Sequence, residues 1–357
     1  MKIGIIGLPQ TGKKTLFELL TGHRISEKDL ASNKPLVSLA EIKDPRFEDL
    51  VARYKPKKEV RARIDFALLP KLEKEAIAKG DIFKDIADAD AVCHIVRAFR
   101  DDSVYHVEGS VDPYRDIDTV NAELVLNDLV FIEKRLERID KSAKGSSAEA
   151  EKKEKELLLK LKEYLEKETP LRLAPLNADE KKLIVSYPFI TRKAMLMVLN
   201  ISEADLADSS LAGKFRERYQ NLKADVMAVS AKSEREIASF ESEGERREFM
   251  EALGIKEPAI NRLTRLSLKA LDLISFFTVG QDEVRQWTLR AGSTAPQAAG
   301  AIHSDLEKGF IRAEVIKYAD LAALGSEEKV KEAGKFYLKG KDYTVEDGDI
   351  LNIRFNV

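Results

Sequence analysis

Short apolar runs alternate with helical patterns along much of the chain, and this order predicts an α/β fold built on a mostly parallel sheet. The first run, residues 2–6, leads into a glycine-containing turn and then a helical pattern at residues 14–20. A strand, a loop and a helix in this order are the setting of a phosphate-binding loop. Further runs of strand length cover residues 61–69, 91–96, 195–199 and 226–230.

Two long charged helical patterns interrupt this alternation. Apolar side chains recur at helical spacing in residues 122–139, and the leucines of residues 151–168 do the same. A polar stretch at residues 141–148 separates the two patterns. We expect an antiparallel helical hairpin whose apolar stripes pack together while its charges face solvent.

The C-terminal region changes character from Phe276 onward. Short strand patterns at residues 286–290, 310–316, 336–339 and 350–355 alternate with turns rich in Gly and Asp. This predicts a compact module with a mixed sheet. We therefore expect a discontinuous α/β domain at residues 1–120 and 190–275, an inserted hairpin at 121–189 and a C-terminal module at 276–357.

Composition narrows the function classes only slightly. The 357 residues are 44% hydrophobic and 34% charged, with a net charge of -2, so no overall positive field attracts nucleic acid. The single cysteine, Cys93, excludes an intramolecular disulfide and a multi-cysteine metal site. No apolar run approaches the roughly 20 residues that span a bilayer. We expect a cytoplasmic protein without a signal peptide or membrane contact. The oligomeric state stays open.

A phosphate-binding loop is predicted directly after the first strand. The glycines at positions 7 and 12 have the spacing that lets a backbone wrap around phosphate oxygens, and Lys13 would supply a cation to the β and γ phosphates. The following helix adds its N-terminal amides. The expected phosphate contacts are Gly7, Pro9, Gln10, Thr11, Gly12, Lys13, Lys14 and Thr15.

Lys14 departs from the usual pattern. That position normally carries Ser or Thr, whose hydroxyl binds Mg²⁺. An ammonium group cannot coordinate a divalent cation and repels one at short range. Thr15 is one residue late, and a helix turns about 100° per residue. Magnesium binding is therefore left open.

The strand at residues 61–69 carries a second altered motif. A switch motif of the form Asp-x-x-Gly normally ends such a strand, and Asp65 is followed by Leu68 where glycine is expected. Asp65 is the candidate metal ligand, and we expect it to form an ion pair with Lys14 in place of the metal. The next segment, residues 70–79, contains no glycine before Gly80.

A base-binding loop is predicted after the strand at residues 195–199. Asn200 and Glu203 stand where GTP-binding domains usually carry Asn-Lys-x-Asp, whose aspartate accepts two hydrogen bonds from guanine. Glu203 is one methylene longer, so a preference for guanine is not assured. Ser230 and Ala231 follow the next strand, where a backbone turn near the base is expected.

Further signatures follow in order along the chain. The N-terminal part contains Thr15-Leu16-Phe17, Asp44-Pro45-Arg46, His106-Val107, Asp112-Pro113, Asp116-Ile117-Asp118 and Asn121-x-Glu123-Leu124. The C-terminal part contains Phe277-Thr278-x-Gly280, Glu283-Val284-Arg285, Trp287-Thr288, Thr294-Ala295-Pro296, His303-Ser304-Asp305, the run from Glu307 to Ile316, Glu332-Ala333-Gly334-Lys335, Asp347-Gly348-Asp349 and Arg354-Phe355-Asn356-Val357. With these motifs the chain resembles the YchF family of Obg-like P-loop ATPases over nearly its whole length.

The resemblance implies a GTPase-type P-loop core, an inserted helical hairpin and a ubiquitin-like, mixed α+β TGS-type domain at the C-terminus. It also implies binding of ATP at least as good as that of GTP, and association with ribosomes or RNA through the C-terminal domain. The family carries an apolar residue in place of a water-orienting glutamine, and Leu69 matches that position.

Three hypotheses remain at this point. The chain is a nucleotide-binding scaffold with weak or absent hydrolysis, an active Mg²⁺-dependent ATPase or GTPase in which Thr15 or a water supplies the missing ligand, or a nucleotide-free interaction protein. The first is preferred because two features that serve Mg²⁺ and the γ phosphate are altered together.

Overall fold

The computed structural model describes residues 1–32, 34–70, 81–142, 148–208 and 210–356. Contacts divide the chain into two units, Met1–Ser38 with Asp65–Ile260 and Leu39–Ile64 with Asn261–Val357. Three elements carry the chain from one unit into the other: β2 (Leu36–Glu41), β4 (Arg63–Leu68) and α11 (Ala259–Ala270).

The first unit is built on a parallel sheet, as the sequence predicts. The order of its six strands is β2-β4-β1-β5-β6-β7, and the pairs β4-β1, β1-β5, β5-β6 and β6-β7 are parallel. The strands not yet named are β1 (Lys2–Ile6), β5 (Ala91–Arg97), β6 (Ala194–Asn200) and β7 (Asp225–Val229). These strands are almost continuous apolar runs because helices cover both faces of a parallel sheet, and every residue of β5 is buried.

The helices of the first unit place loops at the carboxyl edge of this sheet. They are α1 (Lys13–Thr21), α2 (Glu27–Ala31), α4 (Asp81–Ala87), α5 (Pro113–Ser142), α6 (Ala148–Glu166), α7 (Ala178–Leu183), α8 (Leu211–Arg218), α9 (Ala231–Ser239) and α10 (Glu243–Ala252). Short 3₁₀ turns lie at Leu171–Leu173, Glu203–Ala207 and Gln220–Leu222.

Helices α5 and α6 form the predicted hairpin. Leu157, Leu158, Leu161 and Leu165 are buried against apolar residues of α5 such as Ile132. Residues 143–147 of the predicted polar break lie outside the described part of the chain. The apolar stripes therefore join the two helices as the sequence indicates, because each stripe would otherwise remain exposed.

The second unit has a mixed sheet in the order β11-β10-β12-β8-β9-β3. Its strands are β3 (Lys58–Val60), β8 (Leu273–Thr278), β9 (Glu283–Arg290), β10 (Phe310–Lys317), β11 (Tyr337–Lys339) and β12 (Asp349–Phe355). Its helices are α3 (Pro45–Tyr54), α12 (Ala295–Ile302), α13 (Ser304–Lys308), α14 (Tyr318–Leu324) and α15 (Glu327–Glu332), together with most of α11.

Residues 39–64 depart from the predicted domain division. The sequence analysis places them in the N-terminal α/β domain, whereas the structure assigns them to the second unit. There β3 pairs in parallel with β9, and Phe47 and Leu50 of α3 are fully buried in an apolar cluster with Phe277 and Ile350. This apolar burial, which spans more than 200 residues of sequence, is the physical reason for the difference.

Among the described residues, no helix is both long enough and apolar enough to cross a membrane.

Candidate nucleotide-binding site

The loop between β1 and α1 has the backbone of a phosphate-binding loop. Gly7 and Gly12 adopt φ angles of 151° and 94°, and Gln10 is left-handed with φ 59°. A side chain at Gly7 would collide with the carbonyl oxygen of Ile95, and one at Gly12 with the amide of Asn200. Both glycines are therefore required by conformation and by space.

The first lysine of the loop folds back across it. The ammonium of Lys13 donates to the carbonyl oxygens of Gly7 at 2.5 Å and Leu8 at 2.6 Å, and its side chain is buried. Thr11 is also buried, and its hydroxyl donates to the carbonyl of Leu8 at 3.1 Å. The ammonium of Lys13, the predicted phosphate-binding cation, thus lies within the loop, where it would contact a bound phosphate group.

The next two residues of α1 point to different surroundings. Lys14 is exposed to solvent. The hydroxyl of Thr15 accepts a 2.8 Å hydrogen bond from the guanidinium of Arg235 on α9. The hydroxyl of Thr15 therefore already has a side-chain partner on α9.

Asp65 lies far from the phosphate loop, and the predicted ion pair with Lys14 is wrong. In the parallel pairing of β1 with β4, Asp65 is opposite Lys2, whereas the phosphate loop follows Ile6 at the other end of β1. The carboxylate of Asp65 instead lies 3.8 Å from the N-terminal amino group. Because strands advance about 3.3 Å per residue, the strand register separates this carboxylate from the loop by more than 10 Å.

The carboxyl end of β4 carries apolar side chains. Leu68 and Leu69 are 9% and 3% exposed, and the amide of Leu69 donates to the carbonyl of Ile5. Most of the predicted second switch, residues 71–80, lies outside the described part of the chain. Across the described residues, no group of three or more His, Cys, Asp or Glu side chains is arranged to hold a metal ion. An ammonium at position 14 and leucines here do not fit Mg²⁺, which requires oxygen ligands.

Asn200 joins the phosphate loop to the predicted base loop. Its side-chain amide donates to the carbonyl of Thr11 at 3.0 Å, and its side-chain oxygen accepts from the amide of Ala231 at 3.0 Å. Asn200 is 5% exposed, so both bonds are shielded from water. Ser230 caps α9 by accepting from the amide of Ser233. The structure thus brings residues of the predicted phosphate-binding loop together with residues of the predicted base-binding loop.

The loop after β5 is organised by an arginine that the sequence analysis did not single out. Arg97 is 1% exposed, and its guanidinium donates to the carbonyls of Phe99, Asp101, Val104 and Tyr105 at 3.0–3.3 Å. Burial lowers the pKa of this guanidinium. In the sequence, the position of Arg97 directly after the predicted strand at residues 91–96 was the only signal of this role.

His106 and Asp116 close the same loop onto α5. The amide of Glu108 donates to His106 Nδ1 at 3.2 Å, so Nε2 carries the proton and donates to Asp116 Oδ2 at 2.9 Å. Both side chains are buried, and Arg115 contacts the other oxygen of Asp116 at 2.9 Å. Both ring nitrogens of His106 are occupied, so this histidine holds the loop in place.

Comparison with known proteins extends these observations. The C-terminal residues 273–356 match the family model YchF-GTPase_C, described as "Protein of unknown function (DUF933)". The chain is 42% identical to the Ribosome-binding ATPase YchF of Bacillus subtilis over 364 residues, which cover 99% of each chain. It is 36% identical to Obg-like ATPase 1 of Caenorhabditis elegans, covering all of this chain and 92% of that one. The solved structure of the Schizosaccharomyces pombe YchF GTPase superimposes with a TM-score of 0.82 at 32% identity, covering 99% of this chain and 97% of the other.

Proposed function

Because the chain belongs to the YchF family, we propose that it is a cytoplasmic, ribosome-associated protein that binds ATP or GTP and hydrolyses it weakly or not at all. Two relatives that match this chain over 99% of their own length are each named Ribosome-binding ATPase YchF. The observation that carries the second half of the proposal is that Lys14 stands at the position of the usual magnesium-binding hydroxyl while leucines occupy the end of β4.

Nucleotide binding is supported by the intact parts of the site. The glycines have the required backbone angles, Lys13 lies in the loop, and the N-terminus of α1 faces the same space. The double contact of Asn200 sets the spacing between the phosphate loop and the loop at Ser230 and Ala231. A purine nucleotide is the ligand that such a pair of loops recognises.

Weak hydrolysis follows from the residues that would face Mg²⁺. An ammonium at position 14 neutralises phosphate charge but cannot orient a metal ion, and the leucines supply no oxygen to hold one. Loss of metal-assisted charge stabilisation costs several kcal/mol of transition-state stabilisation. The engagement of Thr15 by Arg235 argues against the alternative of a rearranged active site.

We propose that the C-terminal, TGS-type region is the part of the chain that binds the ribosome. His303, Lys308 and Arg312 are all exposed on this unit, where they are available to phosphate groups of RNA. The surrounding motifs are those on which the family resemblance is longest. These exposed side chains and motifs favour a role in binding a partner, which does not require nucleotide hydrolysis.

Calorimetry combined with a phosphate-release assay tests the proposal. ATP, ADP, GTP and GDP are titrated into the full chain with Mg²⁺ and with a chelator, beside the Bacillus subtilis relative. We expect binding without Mg²⁺, no tightening when Mg²⁺ is added, and turnover far below that of the relative. Magnesium-stimulated turnover at the relative's rate would overturn the loss of hydrolysis, and absence of heat from all four nucleotides would favour the nucleotide-free alternative.

Ribosome association is tested separately by co-sedimentation. Purified ribosomes are centrifuged with the full chain and with a variant in which Lys308 and Arg312 are both changed to Ala. We expect the unchanged chain to sediment with ribosomes and the double variant to remain largely in the supernatant. Failure of the unchanged chain to sediment, with and without nucleotide, would refute this part of the proposal.

A further inference from the structure

A cavity of 330 Å³ lies in the second unit, between α15 and one face of the mixed sheet. Its volume is at the lower end of the range for sites that bind small molecules. The apolar part of its lining is Val279, Ile316, Phe336 and Ile350. The polar part is Glu314, Asn352 and Arg354 from the sheet and Glu327 and Lys331 from α15.

Both carboxylates of the lining already accept hydrogen bonds from the protein. One oxygen of Glu314 accepts from Arg354 Nε at 2.9 Å, and the other accepts from the side-chain amide of Asn352 at 2.6 Å. One oxygen of Glu327 accepts from the hydroxyl of Tyr54 at 2.6 Å. The two acids therefore hold neighbouring side chains of the same unit in place.

The two cations of the lining, in contrast, keep donors that no described residue accepts. Arg354 uses Nε for Glu314, and its terminal Nη groups make no hydrogen bond within the described part of the chain. The ammonium of Lys331 lies 3.9 Å from Glu327, too far for a hydrogen bond, and 5.1 Å from the centre of the Phe336 ring. The side chains of Arg354 and Lys331 are 62% and 55% exposed, so a ligand can reach their donors from solvent.

The charges of the lining favour a ligand with one negative charge. Two positive side chains, Lys331 and Arg354, balance two negative ones, Glu314 and Glu327. A phosphate monoester carries nearly two charges at about pH 7, and both acids would repel the second charge. A carboxylate carries one charge, and its two oxygens match the fork of a guanidinium. The free donors therefore suit a carboxylate better than a phosphate.

The apolar part of the cavity determines what the carboxylate is attached to. Ile316 and Ile350 are each 4% exposed, and Phe336 packs against the same apolar cluster. Burying carbon atoms of a ligand against these side chains contributes to affinity in proportion to the apolar area removed from water. The small volume restricts that group to a short branched chain or a single ring.

We propose that this cavity binds a monocarboxylate with a small branched or aromatic apolar group, and that Arg354 and Lys331 bind the carboxylate. A free carboxylic acid and the last residue of a peptide both present this chemistry. The site uses no residue of the phosphate loop, so the proposal does not depend on nucleotide binding.

An NMR titration of the full chain with isocaproate tests the site, and we expect saturable binding. Acetate lacks the apolar group and should bind at least about tenfold more weakly, because each buried methylene increases affinity several-fold. Isoamyl alcohol and isoamyl phosphate keep the apolar group of isocaproate but replace the carboxylate. Each should also bind at least about tenfold more weakly, because the alcohol has no charge and the phosphate has a second one.

Two substitutions test the assigned cations. Arg354→Gln is expected to weaken isocaproate binding by at least about tenfold, and Arg290→Gln, at an exposed position outside the cavity, should not change it. Lys331→Gln should also weaken binding, with Lys329→Gln on the same helix as its control. All four side chains are exposed, so the thermal unfolding midpoint should stay unchanged and show that each variant is folded.

N-acetyl-leucine, which resembles the end of a peptide, separates the two sources of ligand. Tighter binding of N-acetyl-leucine than of isocaproate supports a peptide C-terminus as the ligand, and the reverse order supports a free acid. Leucinamide has no carboxylate and should not bind.

The proposal would be overturned by the absence of saturable binding of both carboxylates, by equal binding of isocaproate and isoamyl alcohol, or by equal effects of Arg354→Gln and Arg290→Gln. These outcomes leave the proposed nucleotide and ribosome binding untouched, because those are measured with other ligands.

Discussion

The guanidinium of Arg235 donates a 2.8 Å hydrogen bond to the hydroxyl of Thr15. This bond ties α9 to the first turn of α1, one residue beyond Lys14, and gives the hydroxyl of Thr15 a partner other than a metal ion. Together with the leucines that end β4, it is the basis on which we propose that Thr15 does not replace the missing magnesium ligand.

Replacing Lys14 tests the role of the ammonium. Under the proposed function, Lys14 and Mg²⁺ would compete for the same phosphate oxygens, so added Mg²⁺ should not strengthen ATP binding to the unchanged chain. In Lys14→Ser we expect Mg²⁺ to strengthen it instead, by about tenfold, as calorimetry would measure. Turnover should remain low because the carboxyl end of β4 still offers only apolar side chains. Lys14→Ala is the control that removes the charge without adding a ligand; an identical Mg²⁺ response in both variants would refute the argument.

Asp65 should be dispensable for nucleotide binding. Its carboxylate is paired with the N-terminal amino group at the opposite end of β4 from the loop. Asp65→Asn is expected to leave the affinity for ATP and its Mg²⁺ dependence unchanged, and to cost less than about 1 kcal/mol in the free energy of unfolding. A changed Mg²⁺ response, measured beside Lys14→Ala, would mean that Asp65 reaches the site.

Asn200 should be essential to the geometry of the site. Asn200→Ala leaves the buried amide of Ala231 and the carbonyl of Thr11 without this partner. We expect a loss of about 1–3 kcal/mol in the free energy of unfolding and at least about a tenfold weaker affinity for ATP. Asn221→Ala, at an exposed position of the same unit, is the matched control. Equal affinities in the two variants would contradict this role.

Arg46 should be needed for the stability of the second unit. Its guanidinium contacts Asp44 and Asp347, each at 2.7 Å, and the Asp44 side chain is only 3% exposed. Arg46→Met leaves a buried carboxylate without its cation and is expected to cost about 3 kcal/mol in urea unfolding. Hydrogen exchange should speed up in β8 and β12, the strands nearest this contact.

A matched control for Arg46 is available in the same unit. Arg63 pairs with Glu41 at 3.3 Å, and both side chains are more than a third exposed. Arg63→Met should therefore cost less than about 1 kcal/mol. A comparable loss in the two variants would show that the contact of Arg46 with buried Asp44 is not special.

His94 should make stability depend on pH. It is 1% exposed, and its Nδ1 has no partner among the described residues. Burial, and secondarily the charge of Lys13, lowers the pKa of His94 from 6.5 to about 3. The unfolded chain therefore binds a proton that the folded chain does not between these values, so stability is complete above pH 6.5 and falls as the pH drops toward 3.

The expected size of the effect is a loss of about 2 kcal/mol between pH 7 and pH 5 in urea unfolding. His94→Leu should remove this loss. His303→Leu should retain this loss, because the side chain of His303 is 64% exposed. An unchanged pH profile in His94→Leu would show that other groups produce the dependence.

Much of the fold was predictable because its signals are local. The runs that became β1, β5, β6 and β7 are almost continuously apolar, which is typical of strands covered on both faces. The stripes of α5 and α6 are visible as helical periodicity. By contrast, β3 has three residues with little apolar character, and only its pairing with β9 makes it a strand.

The candidate site was predictable as far as residue type and spacing determine it. Gly7, Gly12 and Lys13 follow from the loop sequence, and Asn200 follows from its place after β6. The contacts of Arg97 and Thr15 were not predictable, because each depends on partners that the fold brings together. The prediction for Asp65 is wrong for the same reason: the place of Asp65 in the sheet depends on the register of β4 with β1, which the local sequence does not specify.

By itself, the sequence determined the order of the elements, the backbone of the phosphate loop and the absence of a hydroxyl at position 14. The tertiary structure decided which end of the sheet Asp65 occupies, which unit contains residues 39–64, and which partners bind Thr15 and Arg97. The reason is physical: backbone preferences and apolar periodicity act over a few neighbouring residues, whereas strand register and side-chain partners depend on contacts between distant segments.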